Sequence, residues 1–421
     1  MPERSNGAVS KTAVLCGTGG SNPPTSAIFF DSNLQSVIFQ LGGARNLSLL
    51  EIEKVFPNLK FEKNFTENFA EFSGKNFTIK NFEKLGGAVR VLQFCEFATR
   101  ESLPEKIAAI LTAEKISNRV GGDKTEKINF AISAFGAKKL ARNLKSILLK
   151  TKKILREKNF VARFANRNFE NFSTTQFSRE KNFTEFCVVF VDGKFAILQT
   201  IAAQNVEIFA ARDFKKKARS MEIGMLPVKM ARLFLNLTRE KSGSFPTKIF
   251  DPFCGTGTIP VEAHFLGAEK IFAADVSPES LRKTRENLAH FRVENCAVFS
   301  HDATTHFTEN VDDAAIATET FLGPIFPRKL SETDFKTARG AVEPILEKFL
   351  ENVARGKFST AVIAIPFWRG ESGEFFFLEK ILARADFFWK NVRRDLLFIR
   401  ANQFVGRQVL ILKDAQKIFS N

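Results

Sequence analysis

The stretch KIFDPFCGTGTIPVEAHFLGAEKIFAADVSPESLRKTRENL, residues 248–288, decides the fold class of this 421-residue chain. An apolar segment ends at Asp251, a Gly-Thr-Gly loop follows at 255–257, and a helical segment comes next. A second apolar segment then ends at Asp275. A strand, a tight turn and a helix that lead into another strand form the repeating unit of a parallel sheet. The stretch therefore predicts an open α/β sheet whose first loop faces a ligand.

The same alternation continues toward the end of the chain. It predicts seven strands, at residues 248–253, 270–276, 297–301, 314–318, 360–366, 396–400 and 408–413. Helical segments separate the first five strands, and the last two strands form a hairpin-like pair. We therefore expect a Rossmann-like, mostly parallel, seven-stranded sheet.

The loop and the acidic strand ends have the chemistry of a nucleoside-binding site. Gly255 and Gly257 allow a tight turn and a close approach of the ligand to the backbone. The helix that follows offers free N–H groups. Asp251, Asp275 and Asp302 end three successive predicted strands, and an acid at the second strand reaches a ribose diol in folds of this type. A third loop glycine and a GxxxxGK[ST] motif are both missing, which argues against a dinucleotide fingerprint and a P-loop.

DPFCGTGT (251–258) resembles the cofactor loop of RNA N2-guanine methyltransferases, above all the THUMP-containing tRNA guanosine-10 N2-methyltransferases and their bacterial look-alikes. Three further segments are similar to that family: LGGAVRV (85–91), ISAFGAKKLARNLK (132–145) and ARDFKKKARSMEIGMLPVKMARLFLNLT (211–238). The resemblance covers most of the chain after about residue 40. It implies an S-adenosylmethionine-dependent tRNA guanine-N2 methyltransferase. The residues that it implies for cofactor binding are Asp251, Phe253, Gly255, Thr256, Gly257, Asp275, Asp302 and Ala303.

TETFLGP (318–324) stands where the family carries its catalytic motif, one form of which is Glu-Pro-Tyr-Leu-Gly-Pro. The resemblance makes Glu319 the acceptor for the target amine and Phe321 the ring that stacks on a flipped base. Phe321 replaces the usual Tyr, in a chain that has 48 Phe and no Tyr. Thr320 replaces a Pro that would fix the local backbone, so we expect a looser or impaired site. IPFWRG (365–370) leaves two interpretations open, because Phe367, Trp368 and Arg369 could hold substrate or belong to the core.

Basic residues dominate the region before this domain. The formal net charge is +16, and residues 138–167 hold eleven Lys or Arg with a single acid, Glu157. Runs of one sign favour a phosphate-binding stripe over a solvated surface of mixed charges. The residues that we expect to bind RNA are Lys138, Lys139, Arg142, Lys152, Lys153, Lys215, Lys216 and Lys217.

These patterns predict a tail at 1–35 that is disordered, a ferredoxin-like module at 36–100, a THUMP-like RNA-binding module at 101–212 and a methyltransferase domain at 213–421. Five scattered Cys without a CxxC pair argue against structural zinc and disulfides, and so for a reducing compartment. No apolar stretch is long enough for a membrane span and no secretory signal is evident, so we expect a cytoplasmic protein whose partner is RNA, most simply tRNA. Two alternatives stay open: a DNA amino-methyltransferase, and a non-catalytic RNA-binding or assembly factor.

Overall fold

The structure, a computed structural model, describes residues 36–117, 127–136, 138–180, 182–218, 226–307, 309–390, 392–400 and 402–415. The predicted disordered tail at 1–35 lies outside these residues. Strands of the first half of the chain form one eight-stranded sheet, and strands of the second half form another. The mixed α/β class expected from the sequence is confirmed.

The N-terminal part of the first sheet has the split β-α-β arrangement of ferredoxin-like modules. Its elements are β1 (Ser36–Leu41), α1 (Arg45–Val55), β2 (Leu59–Thr66), β3 (Phe69–Gly74), α2 (Ile79–Phe82) and β4 (Ala88–Ala98). The strands lie in the order β2-β3-β1-β4, and each neighbouring pair is antiparallel. Phe39, Phe72 and Ile52 are buried between this sheet and its helices.

The remainder of the first sheet comes from the region predicted as THUMP-like. Its elements are α3 (Leu103–Ser117), β5 (Lys127–Phe135), α4 (Lys138–Arg142), α5 (Leu144–Glu157), β6 (Val161–Phe164), α6 (Thr174–Arg179), β7 (Thr184–Val191), β8 (Lys194–Ala203) and α7 (Val206–Phe214). Asn143 separates α4 from α5, and its side chain makes no capping hydrogen bond to α5. Asp192 and Gly193 form the hairpin turn between β7 and β8, both with positive φ.

The two predicted N-terminal modules share a single continuous sheet. β4 pairs with β8 along most of its length, from Arg90 opposite Ala203 to Ala98 opposite Phe195. At this seam the Arg90 Nε donates to the Glu185 Oε2 of β7 at 3.1 Å, and both side chains are buried. Burial makes such an ion pair costly to break from one side, so the seam is held firmly.

The second sheet is the one that the motif stretch predicted. Its elements are α8 (Val228–Leu237), β9 (Lys248–Asp251), α9 (Thr258–Leu266), β10 (Lys270–Asp275), α10 (Pro278–His290), β11 (Cys296–Ser300), β12 (Ala315–Glu319), α11 (Glu332–Arg355), β13 (Thr360–Arg369), β14 (Phe375–Phe376), α12 (Glu379–Phe388), β15 (Leu397–Phe398) and β16 (Val405–Leu412). The order is β11-β10-β9-β12-β13-β16-β15, with the short β14 beside β13. The first five strands run parallel and β16 runs antiparallel to both neighbours. This confirms the Rossmann-like sheet, with β14 as one strand more than expected.

Buried polar contacts join the N-terminal half to the second sheet. Glu51 of α1 accepts bonds from the backbone N–H groups of Gly86 and Gly87 and from Asn236 Nδ2 of α8, each at 2.7 Å. Lys54 Nζ donates to the carbonyl of Arg239 at 2.9 Å. A helix of the length and apolarity needed to cross a bilayer does not occur in the part of the chain that the structure describes.

Candidate active site

Three carboxylates end neighbouring strands at one edge of the second sheet. Asp251 ends β9, Asp275 ends β10 and Glu319 ends β12. Because β10, β9 and β12 are adjacent and parallel, their carboxyl ends meet at the edge where open α/β sheets bind ligands. The Thr318 hydroxyl donates to Asp251 Oδ1 at 2.7 Å, which links the first strand to the fourth.

Asp251 is fully buried, and burial raises the pKa of its carboxyl to about 7. The hydroxyl of Thr318 and the N–H of Phe253 oppose this rise, while the charges of Asp275 and Glu319 add to it. A cation placed at this edge would favour the ionised form.

The glycine loop is shaped as its sequence requires. Gly255 has φ +51° and Gly257 has φ +79°, so both adopt the left-handed conformation that favours glycine. The Gly255 N–H donates to Asp275 Oδ2 at 2.9 Å, and Gly257 is the residue before α9. A Cβ built at Gly255 would have no heavy atom within 4 Å, so the loop leaves open space in front of its backbone.

Two side chains of α10 fix the loop from behind, and the sequence analysis missed both. Thr284 Oγ1 donates to the carbonyl of Gly255 at 2.8 Å. Asn287 Nδ2 donates to the carbonyls of Thr256 at 2.8 Å and of Ala218 at 2.9 Å. Both residues are fully buried. Their one signal in the sequence is a pair of polar residues, three apart, on the inner face of an amphipathic helix.

The remaining predicted cofactor residues lie in different surroundings. Asp302 is exposed, and the N–H of Thr304 lowers the pKa of its carboxyl. Ala303 is buried, and its carbonyl accepts a bond from Asn352 of α11 at 2.9 Å. Phe253 packs edge-to-face on Phe349, with ring centres 5.0 Å apart, so its ring is part of the core boundary.

Glu319 has a buried cationic partner that the sequence did not reveal. Arg407 of β16 donates from Nε to Glu319 Oε1 at 2.7 Å, and its side chain is only 3% exposed. Burial raises the pKa of the Glu319 carboxyl, and Arg407 opposes that rise by its charge and its hydrogen bond. Glu319 and Arg407 are 88 positions apart in sequence, which hides their contact from any local pattern.

The expectation of a looser turn at Thr320 is wrong. Thr320 is buried, and both its N–H and its hydroxyl donate to the carbonyl of Ala364 at 3.0 Å. These bonds continue the pairing of β12 with β13, and the backbone one is a bond that a proline could not make. Phe321, the predicted stacking residue, is 40% exposed.

For the two aromatic residues of IPFWRG (365–370), the structure decides between the two interpretations in favour of the core. Phe367 and Trp368 are fully buried core residues. Phe367 packs on Phe375 and Phe377 at 5.3 and 5.2 Å between ring centres. Arg369 is half-buried, with its guanidinium 5.9 Å from the Phe375 ring.

Several of the residues predicted to bind RNA lie on α4 and α5. The structure does not describe the side chains of two of them, Lys138 and Lys139. Arg142 and Lys153 are exposed, and Lys153 pairs with Glu157 at 3.7 Å. Lys152 is half-buried, with its ammonium 5.5 Å from the centre of the Phe164 ring.

In the basic run at residues 215–217, Lys215 and Lys217 are exposed, but the prediction that Lys216 binds RNA is wrong. Lys216 is 6% exposed and donates from Nζ to Thr258 Oγ1 at 2.7 Å. Its neighbour Ala218 exchanges two hydrogen bonds with the side chain of Asn287. This stretch therefore packs against the cofactor loop, so Lys216 is no surface charge.

Residues 216–320, which span the loop and the three carboxylates, match the family of RMKL-like methyltransferase domains. The match covers about a quarter of the chain and shows that this segment is similar to that family. A tRNA (guanine(10)-N2)-dimethyltransferase of Methanothermobacter thermautotrophicus is 34% identical over 142 residues, which are 33% of this chain and 40% of that protein. These similarities confirm the predicted resemblance for the RMKL-like domain, although the chain covers less than half of that curated relative's length.

Two solved structures share the fold over nearly the whole chain. A possible methylase from Clostridium difficile 630 has a TM-score of 0.51 at 14% identity, with 92% of this chain and 100% of that chain covered. TrmN from Thermus thermophilus has a TM-score of 0.52 at 13% identity, with 90% and 99% covered. At such identities the likeness shows the fold alone.

The residues around the loop fit S-adenosylmethionine, the methyl donor of this domain class. The cofactor has a ribose diol, an adenine, a carboxylate and a cationic ammonium and sulfonium. The carboxylates of Asp251 and Asp275 suit its cations and its diol, and the N-terminus of α9 suits its carboxylate. The open space in front of Gly255 leaves room for the cofactor, and a side chain at this position would fill that space.

Proposed function

We propose that the protein is an S-adenosylmethionine-dependent methyltransferase that methylates an exocyclic amino group of RNA, specifically guanine N2 of tRNA, in the cytoplasm. One observation carries the proposal: the Glu319 carboxylate, paired with Arg407, ends a strand two places from the strand that ends in Asp275, at the edge that holds the glycine loop. The name of the Methanothermobacter relative suggests the substrate class, and the exposed cations of α4 and α5 are consistent with it.

The cofactor supplies a methyl group on a sulfonium, which is already an activated leaving group. We assign its binding to Asp251, Asp275, Asp302 and the backbone of the loop at 255–257. Thr284 and Asn287 keep that loop in place. The protein therefore has to orient and desolvate the acceptor nitrogen rather than to activate the methyl group.

Glu319 is the residue that we assign to the acceptor. Arg407 occupies Oε1, and we assign Oε2 to a hydrogen bond from the target amine, which aims the nitrogen lone pair. The bound cofactor would supply the methyl carbon to the nitrogen and would take the electron pair of the carbon–sulfur bond onto sulfur. The extra proton on nitrogen would pass to Glu319 or to water. Phe321, exposed beside Glu319, is placed to stack on the base.

The N-terminal sheet would capture the RNA through the solvent face of α4 and α5. This face exposes Arg142, Lys145, Lys150, Lys153 and Arg156, while its only acid is Glu157. A surface with this excess of cations tracks phosphates and binds RNA in a salt-dependent way. A DNA methyltransferase would need a different target-recognition surface, and a non-catalytic factor would have no use for the Glu319 and Arg407 pair.

The test is transfer of labelled methyl from S-adenosylmethionine to bulk tRNA, followed by nucleoside analysis. We expect N2-methylguanosine from the wild type and a loss of about a thousandfold in Glu319→Gln, since one lost transition-state hydrogen bond of this kind costs roughly 10² to 10³ in rate. Glu294→Gln is the matched control, because Glu294 is exposed and outside the site. Cofactor binding is measured in parallel by calorimetry.

Three results would contradict the proposal. Transfer to DNA but not to RNA would favour the amino-methyltransferase alternative. Cofactor binding without transfer to any nucleic acid would favour a binding factor. Full activity of Glu319→Gln would remove Glu319 from the chemistry.

A further inference from the structure

A cleft with a cationic lining lies at the junction between the two halves, away from the candidate active site. Its volume is about 250 Å³, and it is lined by the end of α1, the loop after β3, α2 and the loop after α8. Arg239 follows α8 just before β9 begins, so the cleft lies at the amino ends of the parallel strands. Asp251 and Glu319 lie at the carboxyl ends, on the opposite edge.

The lining of the cleft is basic and amide-rich. Three of its side chains are cations, Lys75, Lys84 and Arg239, and its lining residues as described include no Asp or Glu. The other polar side chains are Asn58, Asn76, Asn81 and Ser242. Amides, hydroxyls and cations together form the donor set that proteins use for phosphate oxygens.

Two of the cations, Lys84 and Arg239, are held in place, and the charge of Arg239 acts on Lys84. Lys84 Nζ donates to Asn81 Oδ1 at 2.9 Å. Arg239 is 4% exposed, donates to Asn236 and Gly243, and its guanidinium is 4.9 Å from the ring centre of Phe245. Burial lowers the pKa of Lys84, and the charge of Arg239 lowers it further.

The carboxylates beside the cleft have other donors. Glu51, whose charge acts on Arg239, accepts hydrogen bonds from Gly86, Gly87 and Asn236. Glu240 is exposed and accepts a hydrogen bond from the Ser242 hydroxyl at 3.5 Å. A bound anion would therefore relieve the mutual repulsion of cations that the folded chain brings together.

We propose that this cleft between α2 and the loop after α8 binds a phosphate group, supplied either by an RNA backbone or by free phosphate. Lys84 and Arg239 bind it from the walls, and Lys75, which is exposed, closes it from the mouth. The site is separate from the cofactor loop, so its occupancy does not depend on the methyltransferase assignment; only the RNA arm of the test rests on the proposed function.

The experiment uses the full chain and inorganic phosphate, with calorimetry as the readout. We expect one phosphate-dependent binding event in the wild type and affinity at least about tenfold lower in Lys84→Met, since charge-assisted hydrogen bonds are worth that much. Lys60→Met is the matched control, because Lys60 is exposed on β2 and does not line the cleft. Added phosphate should also raise the thermal midpoint of the wild type and of Lys60→Met more than that of Lys84→Met.

The second arm measures bulk tRNA affinity against salt concentration. If the phosphate belongs to RNA, the Lys84→Met slope falls by about one relative to Lys60→Met. If it is a free phosphate, the slopes agree and only the phosphate titration separates the variants.

Equal behaviour of Lys84→Met and Lys60→Met in both arms would overturn the proposal. A structural role for Lys84 predicts a different pattern, in which Lys84→Met is less stable in phosphate-free buffer and binds phosphate as the wild type does. That pattern would overturn the proposal as well.

Discussion

Replacing Arg407 by Met tests the pairing on which the proposed chemistry depends. The change removes a hydrogen bond of 2.7 Å from Nε to Glu319 Oε1, inside a pair whose side chains are 3% and 14% exposed. A hydrogen bond to a charged group contributes about 1.5–3 kcal/mol, which corresponds to roughly tenfold to a hundredfold in rate. We expect a loss of this size in kcat at pH 7.

The loss should depend on pH, and its sign follows from the causes of the pKa shift. Burial raises the pKa of Glu319 and Arg407 holds it down, so removing Arg407 lets the pKa rise further. More of the carboxyl is then protonated at neutral pH, where it no longer accepts a bond from the amine. Activity of Arg407→Met should therefore return as the pH is raised, and the acid limb of the profile should move to higher pH.

The assay is kcat for methyl transfer between pH 5.5 and 9.5, at saturating cofactor. Saturation matters because burial raises the pKa of Asp251 to about 7, and we assign Asp251 to cofactor binding. Arg407→Lys should lie between Arg407→Met and the wild type, because it keeps the charge and loses the Nε geometry. Arg400→Met, an exposed arginine after β15, should behave as the wild type.

Two results would refute this reasoning. A loss that is equal at every pH would mean that Arg407 supports the fold rather than the ionisation of Glu319. An unchanged profile would mean that the acceptor does not need an ionised Glu319.

Three further predictions test the site and the RNA surface. Cofactor affinity should rise between pH 6 and 8 as Asp251 loses its proton, and calorimetry should find no such rise in Asp251→Asn. Gly255→Val should weaken cofactor binding about tenfold or more, because a side chain at φ +51° costs roughly 1–2 kcal/mol and fills the open space before the loop. The measurement is a fluorescence titration, and unchanged affinity would place the cofactor elsewhere. Arg142→Gln should lower the salt slope of tRNA binding by about one, whereas Lys216→Gln should lower the free energy of unfolding and leave that slope unchanged, since Lys216 is buried against Thr258.

Local pattern sufficed to predict the second sheet. Alternating apolar strands and helices, with an acid at the end of each early strand, gave seven strands within a few residues of their observed bounds. The side chains that are named by local motifs, Asp251, Asp275 and Glu319, do meet at one edge.

The missed features depend on contacts that are distant in sequence. Arg407 reaches Glu319 across 88 positions, and Asn287 holds Ala218 across 69. The sequence analysis placed Lys216 on the surface because its neighbours Lys215 and Lys217 are surface charges. Only the contact between Lys216 and Thr258 distinguishes it from them. The single sheet of the N-terminal half was hidden for the same reason, since β4 and β8 are about a hundred residues apart.

Between the two halves, Glu262 of α9 is fully buried with an arginine on each side. Arg212 of α7 lies 2.5 Å from one carboxylate oxygen and Arg232 of α8 lies 2.9 Å from the other. The helix that begins at the cofactor loop is thus clamped by residues on both sides of the boundary drawn at 212 and 213. A fragment that starts at residue 213 would lose Arg212, and the buried Glu262 carboxylate would keep only one of its two arginine partners. We expect this loss to lower the free energy of unfolding by several kcal/mol. The second half of the chain should consequently be purified and crystallised together with the sheet that precedes it.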